Sequence, residues 1–216
     1  MQNNSKKIVK KVFSVFLNIV ILFLIVVALT LAYFKVTYSE AYVVGASMYP
    51  TLNEKGDDLD IVAINKRASY SYGDIVTIKH KKGTGEIITI VKRIIALEGD
   101  YVDIDYNEDN ELVVILNGEI LQEDYITIKF YKTENPIAYT AWQEYILVAG
   151  EKYVAGKGLL IGSGEVFVLG DNRQKSNDSS LFGPVLRKNI TGKVDFVYRK
   201  GQNDFIMFIK NMIFKV

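Results

Sequence analysis

The chain reads as an all-β domain carried behind one transmembrane helix, and three features of the sequence predict this. An apolar run without charge fills residues 12–34. Beyond Tyr38, short β-branched and aromatic runs are separated by glycine, asparagine and aspartate, with little sustained helical periodicity. Leu116-Asn117-Gly118-Glu119 joins two apolar runs and carries the dipeptide that a two-residue hairpin turn demands. With 216 residues, 49% of them hydrophobic, and no cysteine, the chain can build one sizeable core without disulfides or a thiolate metal site.

The first eleven residues hold Lys6, Lys7, Lys10 and Lys11 and no acid. The formal net charge is +1, so setting these four lysines aside leaves 22 basic against 25 acidic groups, or −3, over the rest. That balance points to no nucleic-acid partner. Residues 12–34 follow; a helix rising ~1.5 Å per residue over that length crosses a hydrocarbon core of roughly 30 Å. A cleavable signal peptide has an apolar region of only ~7 to 15 residues, so the run reads as an uncleaved anchor. Four lysines before it against Lys35 just after it put residues 1–11 in the cytoplasm and residues 35–216 outside, a single-pass cell-membrane topology.

Strands are expected at 41–44, 60–64, 75–80, 87–97, 101–105, 111–116, 165–169 and 190–198, and one helix at 140–149. The acidic, glycine-punctuated segment 101–164 reads as a possible sub-domain inserted into the main sheet. The apolar stretch 205–214 is too short to span a bilayer and is expected to complete the core, or else to lie against the membrane.

Three motifs imitate functional sites. Asp103-Ile104-Asp105-Tyr106-Asn107 begins like a calcium loop, but Glu108 stands where glycine is needed and Val114 where the bidentate glutamate belongs, which leaves a solvated turn. Gly156, Gly158, Gly162 and Gly164 precede a strand instead of opening a helix, so they read as a mobile loop and not a dinucleotide site. His80, the single histidine, sits among Lys79, Lys81 and Lys82 at a hairpin end, a polar and exposed setting that gives it no catalytic role.

Chemistry centres on Gly45-Ala46-Ser47-Met48-Tyr49-Pro50-Thr51-Leu52. A serine needs a base, and with cysteine absent and histidine unsuited, a lysine deprived of solvent is the remaining group able to serve near pH 8. Strand alternation places Lys92 on one face with Ile88, Ile90 and Ile94, and Arg93 on the other with Val91 and Ile95. Lowering a lysine from about 10.4 toward 7 or 8 costs about 3 to 5 kcal/mol of differential solvation, within reach of an apolar pocket. The plainer alternative is a lysine snorkelling at a strand edge. The hydroxyl- and carboxylate-rich loop 170–185 can either orient a buried amine or form a capped turn.

In this order and behind an anchor, the stretches resemble the type I signal peptidases, the bacterial leader peptidase family, in its compact Gram-positive form. Ser47-Met48-Tyr49-Pro50-Thr51-Leu52 is similar to the nucleophile box, Tyr72-Gly73-Asp74-Ile75-Val76 to the structural box, Val91-Lys92-Arg93-Ile94 to the lysine box, and Gly170 to Val185 to the GDNR-x-x-S-x-D-S box. The resemblance implies twisted antiparallel sheets and a Ser-Lys protease that removes signal peptides from exported preproteins, with no cofactor and no metal. It implies Ser47 as nucleophile, Lys92 as general base, Ser176 as the hydroxyl that orients the lysine, and Asp178 and Arg173 as braces. It further implies an extended substrate paired with strand edges, small residues at −1 and −3 in shallow pockets for which Val43, Val44 and Val91 are the candidates, and membrane lipid as a partner. Two positions depart from the pattern. Gly45 stands where some relatives carry an oxyanion-donating serine, and Ser180 where many carry an arginine able to pair with the aspartate. A related Ser-Lys protease with one dedicated substrate, or a catalytically silent tethered binding module, are the competing readings.

Overall fold

The computed structural model describes residues 2–53, 59–134 and 136–199. The apolar stretch 205–214, expected in the core, lies outside the described residues. The chain opens with α1, Gln2–Thr37, which runs without interruption into β1, Tyr38–Tyr42. The helix extends beyond its apolar run at both ends, and most of its apolar side chains are exposed, with Val20, Leu31 and Phe34 half-buried. Lys10–Thr37 is long and apolar enough to cross a membrane.

Strands β2 (Ile61–Asn65), β3 (Ile75–Lys81), β4 (Ile87–Leu97), β5 (Tyr101–Tyr106), β6 (Leu112–Leu116) and β7 (Glu119–Ile120) follow. Helix α2 (Ile137–Ala149) separates them from β8 (Tyr153–Val154), β9 (Gly158–Leu160) and β10 (Glu165–Leu169). Helix α3 (Ser179–Phe182), β11 (Val185–Leu186) and β12 (Ile190–Tyr198) complete the described chain. The strands form two sheets, in the orders β1-β2-β12-β3-β4-β10-β11 and β7-β6-β5-β9-β8, with every pairing antiparallel. The second sheet comes wholly from residues 119–120, 112–116, 101–106, 158–160 and 153–154, within the segment 101–164.

All eight expected strands have counterparts, and β4, β10 and β12 have the expected bounds. The first begins at Tyr38 and stops before Val43, because pairing with β2 runs from Tyr38 opposite Asn65 to Tyr42 opposite Ile61. The missed elements, β7, β8, β9, β11 and α3, span four residues or fewer, too short for either period to register. The Asn117-Gly118 turn forms as expected, with φ of 53° and 86°.

Two sequence readings need correction. Asp103 lies within β5 and not in a solvated turn; its carboxylate accepts from Trp142 Nε1 at 2.8 Å and Tyr153 OH at 2.9 Å. Gly158 belongs to β9, which pairs with β5 and β8, so this glycine is part of a sheet and not of a mobile loop. A Cβ there would run into the Val102 carbonyl, the close backbone approach for which a strand glycine serves.

Strand β4 supplies side chains to every core cluster. Ile94 packs with Val76, Ile78, Val166 and Val168. Ile95 and Ala96 join Phe167, Leu169, Val102, Ile104 and Trp142, a cluster that bonds the two sheets together. Val91 lies against Val43, Met48, Leu52, Val62 and Ile64. Trp142 is fully buried, and truncating such a side chain to alanine typically costs about 3–5 kcal/mol.

Candidate active site

Between β1 and β2 the chain forms the compact turn 43–53 that carries Ser47. Its ends are tied by Asn53, whose side-chain amide donates to Val43 O at 2.8 Å and Gly45 O at 2.9 Å. Asn53 adopts φ 61° and exchanges hydrogen bonds with Asp60, its N–H donating to Oδ2 at 2.7 Å and its Oδ1 accepting from Asp60 N at 2.8 Å. Gly45 has φ 95°, a left-handed backbone that a serine there would adopt only under strain. Met48 and Leu52 anchor the turn in the core, while Ser47 stays half-buried above it.

Lys92 comes to Ser47 from β4. Its partner strand β10 pairs with β4 only through Arg93–Leu97, so Lys92 sits where the neighbouring strand departs. Lys92 Nζ donates to Ser47 Oγ at 2.7 Å and to Val91 O at 2.9 Å. The lysine is only 3% exposed. Burial pushes its pKa down from the ordinary 10.5, while the carboxylates of Asp178 and Asp171 pull the other way. Once the amine is neutral, the same short contact lets the Ser47 hydroxyl donate to Nζ, which is the geometry of proton abstraction.

The loop after β10 wraps the pair. Asn172 N donates to Ser47 O at 3.0 Å. Asp178 caps α3 and accepts from Gly170 N at 2.9 Å, Ser180 N at 3.0 Å and Ser180 Oγ at 2.8 Å. Ser180 thus bonds to the aspartate itself, and the absence of an arginine at that position leaves Asp178 braced. Ser176 Oγ is buried with no hydrogen-bond partner and makes no bond to Lys92; it packs on Gly170, where an added Cβ would collide with both Ser176 Oγ and Ser47 O. Arg173 is buried, and its Nε donates to Gly170 O at 3.1 Å.

His80 is not the exposed residue its lysine neighbours suggest. It is half-buried and stacks on Phe182 of α3 with ring centroids 4.2 Å apart, and burial together with the Lys92 charge lowers its pKa. Of the three pocket candidates, Val43 is buried in the core, Val91 is half-buried beside it, and Val44 is 81% exposed.

Sequence reasoning missed Asp171 and Arg93 as partners. Arg93 Nε and Nη2 fork onto the two Asp171 oxygens at 2.9 and 2.6 Å, and Nη1 donates to Gly73 O at 2.7 Å. Thr51 Oγ1 donates to the same carboxylate. An arginine next to the candidate base and an aspartate within the polar loop were legible as charges, but nothing in the sequence pairs residues 78 apart. Among the described residues no group of His, Cys, Asp or Glu is arranged to hold a metal.

Residues 15–199 match the family described as "Signal peptidase, peptidase S26". Signal peptidase I of Bacillus caldolyticus is 35% identical over 165 residues, 74% of this chain and 79% of that protein. Probable signal peptidase I-1 of Synechocystis sp. is 32% identical over 182 residues, 80% of this chain and 76% of that protein. Thylakoidal processing peptidase 1, chloroplastic, of Arabidopsis thaliana is 32% identical over 165 residues, which span 70% of this chain but only 39% of the plant protein.

Proposed function

We propose, from the premise that this chain belongs to the signal peptidase family of peptidase S26 and is thereby a serine peptidase, that it is a membrane-bound endopeptidase which cuts signal peptides from exported preproteins with a Ser47–Lys92 dyad. The observation that carries the reading is the 2.7 Å contact between Ser47 Oγ and a buried lysine whose burial favours the neutral amine. In the acylation step neutral Lys92 takes the Ser47 proton as Oγ attacks the scissile carbonyl. The oxyanion that forms is met by the Ser47 N–H. Lys92 then returns the proton to the departing amine, and an acyl ester remains on Ser47. A water molecule deprotonated by Lys92 hydrolyses that ester and restores both groups.

Residues 87–92 of β4 have β3 on one side and, among the described residues, no strand on the other. An extended substrate can pair along that free edge and bring its scissile bond to Ser47. Small residues at −1 and −3 would fit against Val44 and Val91, with Val43 supporting them from the core. Asp178, Arg173 and Ser176 hold the loop under the dyad. Helix α1 serves as the anchor, with residues 1–11 cytoplasmic, residues 35–216 outside, and membrane lipid against its exposed apolar sides.

The test is cleavage of two unrelated preproteins, each with alanine at −1 and −3, by the detergent-solubilised full chain. Cleavage of both after the −1 residue, lost in Ser47→Ala, is the expected result. Cleavage of neither rejects the reading.

A further inference from the structure

Segment 121–126, between β7 and α2, lies outside all four sequence motifs of the site, yet two of its side chains reach into it. Glu123 accepts from both terminal nitrogens of Arg173, with Nη1 at 2.9 Å from Oε2, and both side chains of this ion pair are more than nine-tenths buried. Tyr125 OH donates to the same glutamate, and its ring lies under the Arg93 guanidinium, 3.8 Å from Cζ to the ring centroid. Burial and the Glu123 charge push the Tyr125 pKa up, so the phenol stays a donor.

These contacts close a chain of side chains through the site. Thr51 of the nucleophile turn donates to Asp171; Asp171 receives the fork of Arg93; Arg93 stacks on Tyr125; Tyr125 bonds to Glu123; and Glu123 receives the fork of Arg173. Arg93 adjoins Lys92 on β4, and the loop of Asp171 and Arg173 holds Ser47 through the Asn172 N–H. Two buried arginines meet two carboxylates, and Asp171 answers only one of them. Without Glu123 both terminal nitrogens of the second guanidinium would be buried without an acceptor, with only its Nε still bonded to Gly170 O, and the loop would have to open to hydrate them. Without the Tyr125 ring one face of Arg93 would lose its support, and Lys92 would lose the fixed neighbour that sets its strand position.

We infer that Glu123 and Tyr125 are positioning residues that hold the Ser47 loop and the Lys92 strand in catalytic register. The inference rests on the dyad reading. It predicts a cost in the chemical step and not in substrate binding, because Glu123 and Tyr125 contact Arg173 and Arg93 and not the free edge of β4 at residues 87–92; misplacement of catalytic groups by an ångström can cost up to roughly 10²-fold.

The experiment measures kcat and KM separately on a preprotein with alanine at −1 and −3, using the full chain in detergent. Tyr125→Leu and Glu123→Gln are each expected to lower kcat about tenfold or more with KM within twofold of the wild type. Tyr125→Phe, which keeps the ring under Arg93, is expected to restore most of the kcat lost in Tyr125→Leu. Unchanged kcat in folded Tyr125→Leu and Glu123→Gln overturns the inference, as does a loss confined to KM. Should Tyr125→Leu fail to fold, the near-isosteric Glu123→Gln decides alone. Lys92→Ala, run alongside, separates the premises: full activity there rejects the dyad itself, whereas an inactive Lys92→Ala with normal clamp variants rejects only the clamp.

Discussion

Lys92 Nζ lies 2.7 Å from Ser47 Oγ although 45 residues separate them, one on the long strand β4 and the other in the turn after β1. The pair is held from behind by Asn172, whose N–H fixes the Ser47 carbonyl, and by Arg93, whose fork on Asp171 fixes the strand next to Lys92. If the pair acts as the proposed proton-transfer unit, the expected behaviour of variants follows from this contact.

Ser47→Ala and Lys92→Ala should each abolish cleavage, with the double variant little worse than either, since groups acting as a unit are not additive. Lys92→Arg is the sharper variant. Arginine keeps the charge but cannot shed its proton in the working range, so a loss of about 10³-fold or more is expected for a base. Retention of most of the activity in a single-turnover assay would reduce Lys92 to an electrostatic anchor.

Acidification should silence the wild type. Burial lowers the Lys92 pKa, and only the neutral amine accepts the serine proton, so kcat should fall as pH drops through that lowered value. His80→Ala should leave this acid limb in the profile. Its disappearance would move the base role to His80.

The same burial makes Lys92 costly for stability. In the unfolded chain it holds its proton up to about 10.5, whereas in the fold it releases it at lower pH. Folding therefore releases a proton between the two values, and stability rises with pH across that interval. Lys92→Met should stabilise the protein at neutral pH by on the order of 1 kcal/mol, a gain of about 2–4 °C in Tm, and the advantage should shrink toward pH 10.5. Denaturant unfolding followed by the fluorescence of Trp142, the single tryptophan, reads this directly. An advantage that grew with pH would contradict it.

Asp171→Asn removes one partner of a buried pair while Arg93 stays in place. Breaking such a pair costs about 3–5 kcal/mol, because the remaining charge is uncompensated. A shift in the unfolding midpoint below about 1 kcal/mol would mean that Arg93 finds water or another acceptor.

Gly170→Ala tests the packing under Ser47. The added methyl has no room between Ser176 Oγ and the Ser47 carbonyl, so the loop must move and carry Ser47 away from Lys92. Cleavage should drop by about 10²-fold or more. Wild-type kcat in this variant would show that the loop yields without disturbing the dyad.

Much of this protein was legible as sequence because the signals are local. An uncharged run of membrane-spanning length, the β-branched run at residues 87–97, and the Asn117-Gly118 turn each depend on a few consecutive residues, and each formed the expected helix, strand or turn, although a bulge at Ile95 breaks the strict alternation of the strand. Ser47 and Lys92 could be nominated one at a time, from a proline-containing turn and from a lysine bracketed by isoleucines. Tertiary structure alone decided what meets what. It turned His80 from a lysine-flanked surface residue into a half-buried ring on Phe182, gave Asp178 the serine at position 180 as a partner, and left Ser176 Oγ without one. It also brought Glu123 and Tyr125 from outside every motif to the two buried arginines. The physical reason is that strand periodicity specifies which face a side chain takes, whereas the pairing of buried charges depends on which strands lie side by side and where one of them ends. In this fold β10 departs from β4 after Arg93, and that single event of topology opens the space in which Lys92 meets Ser47.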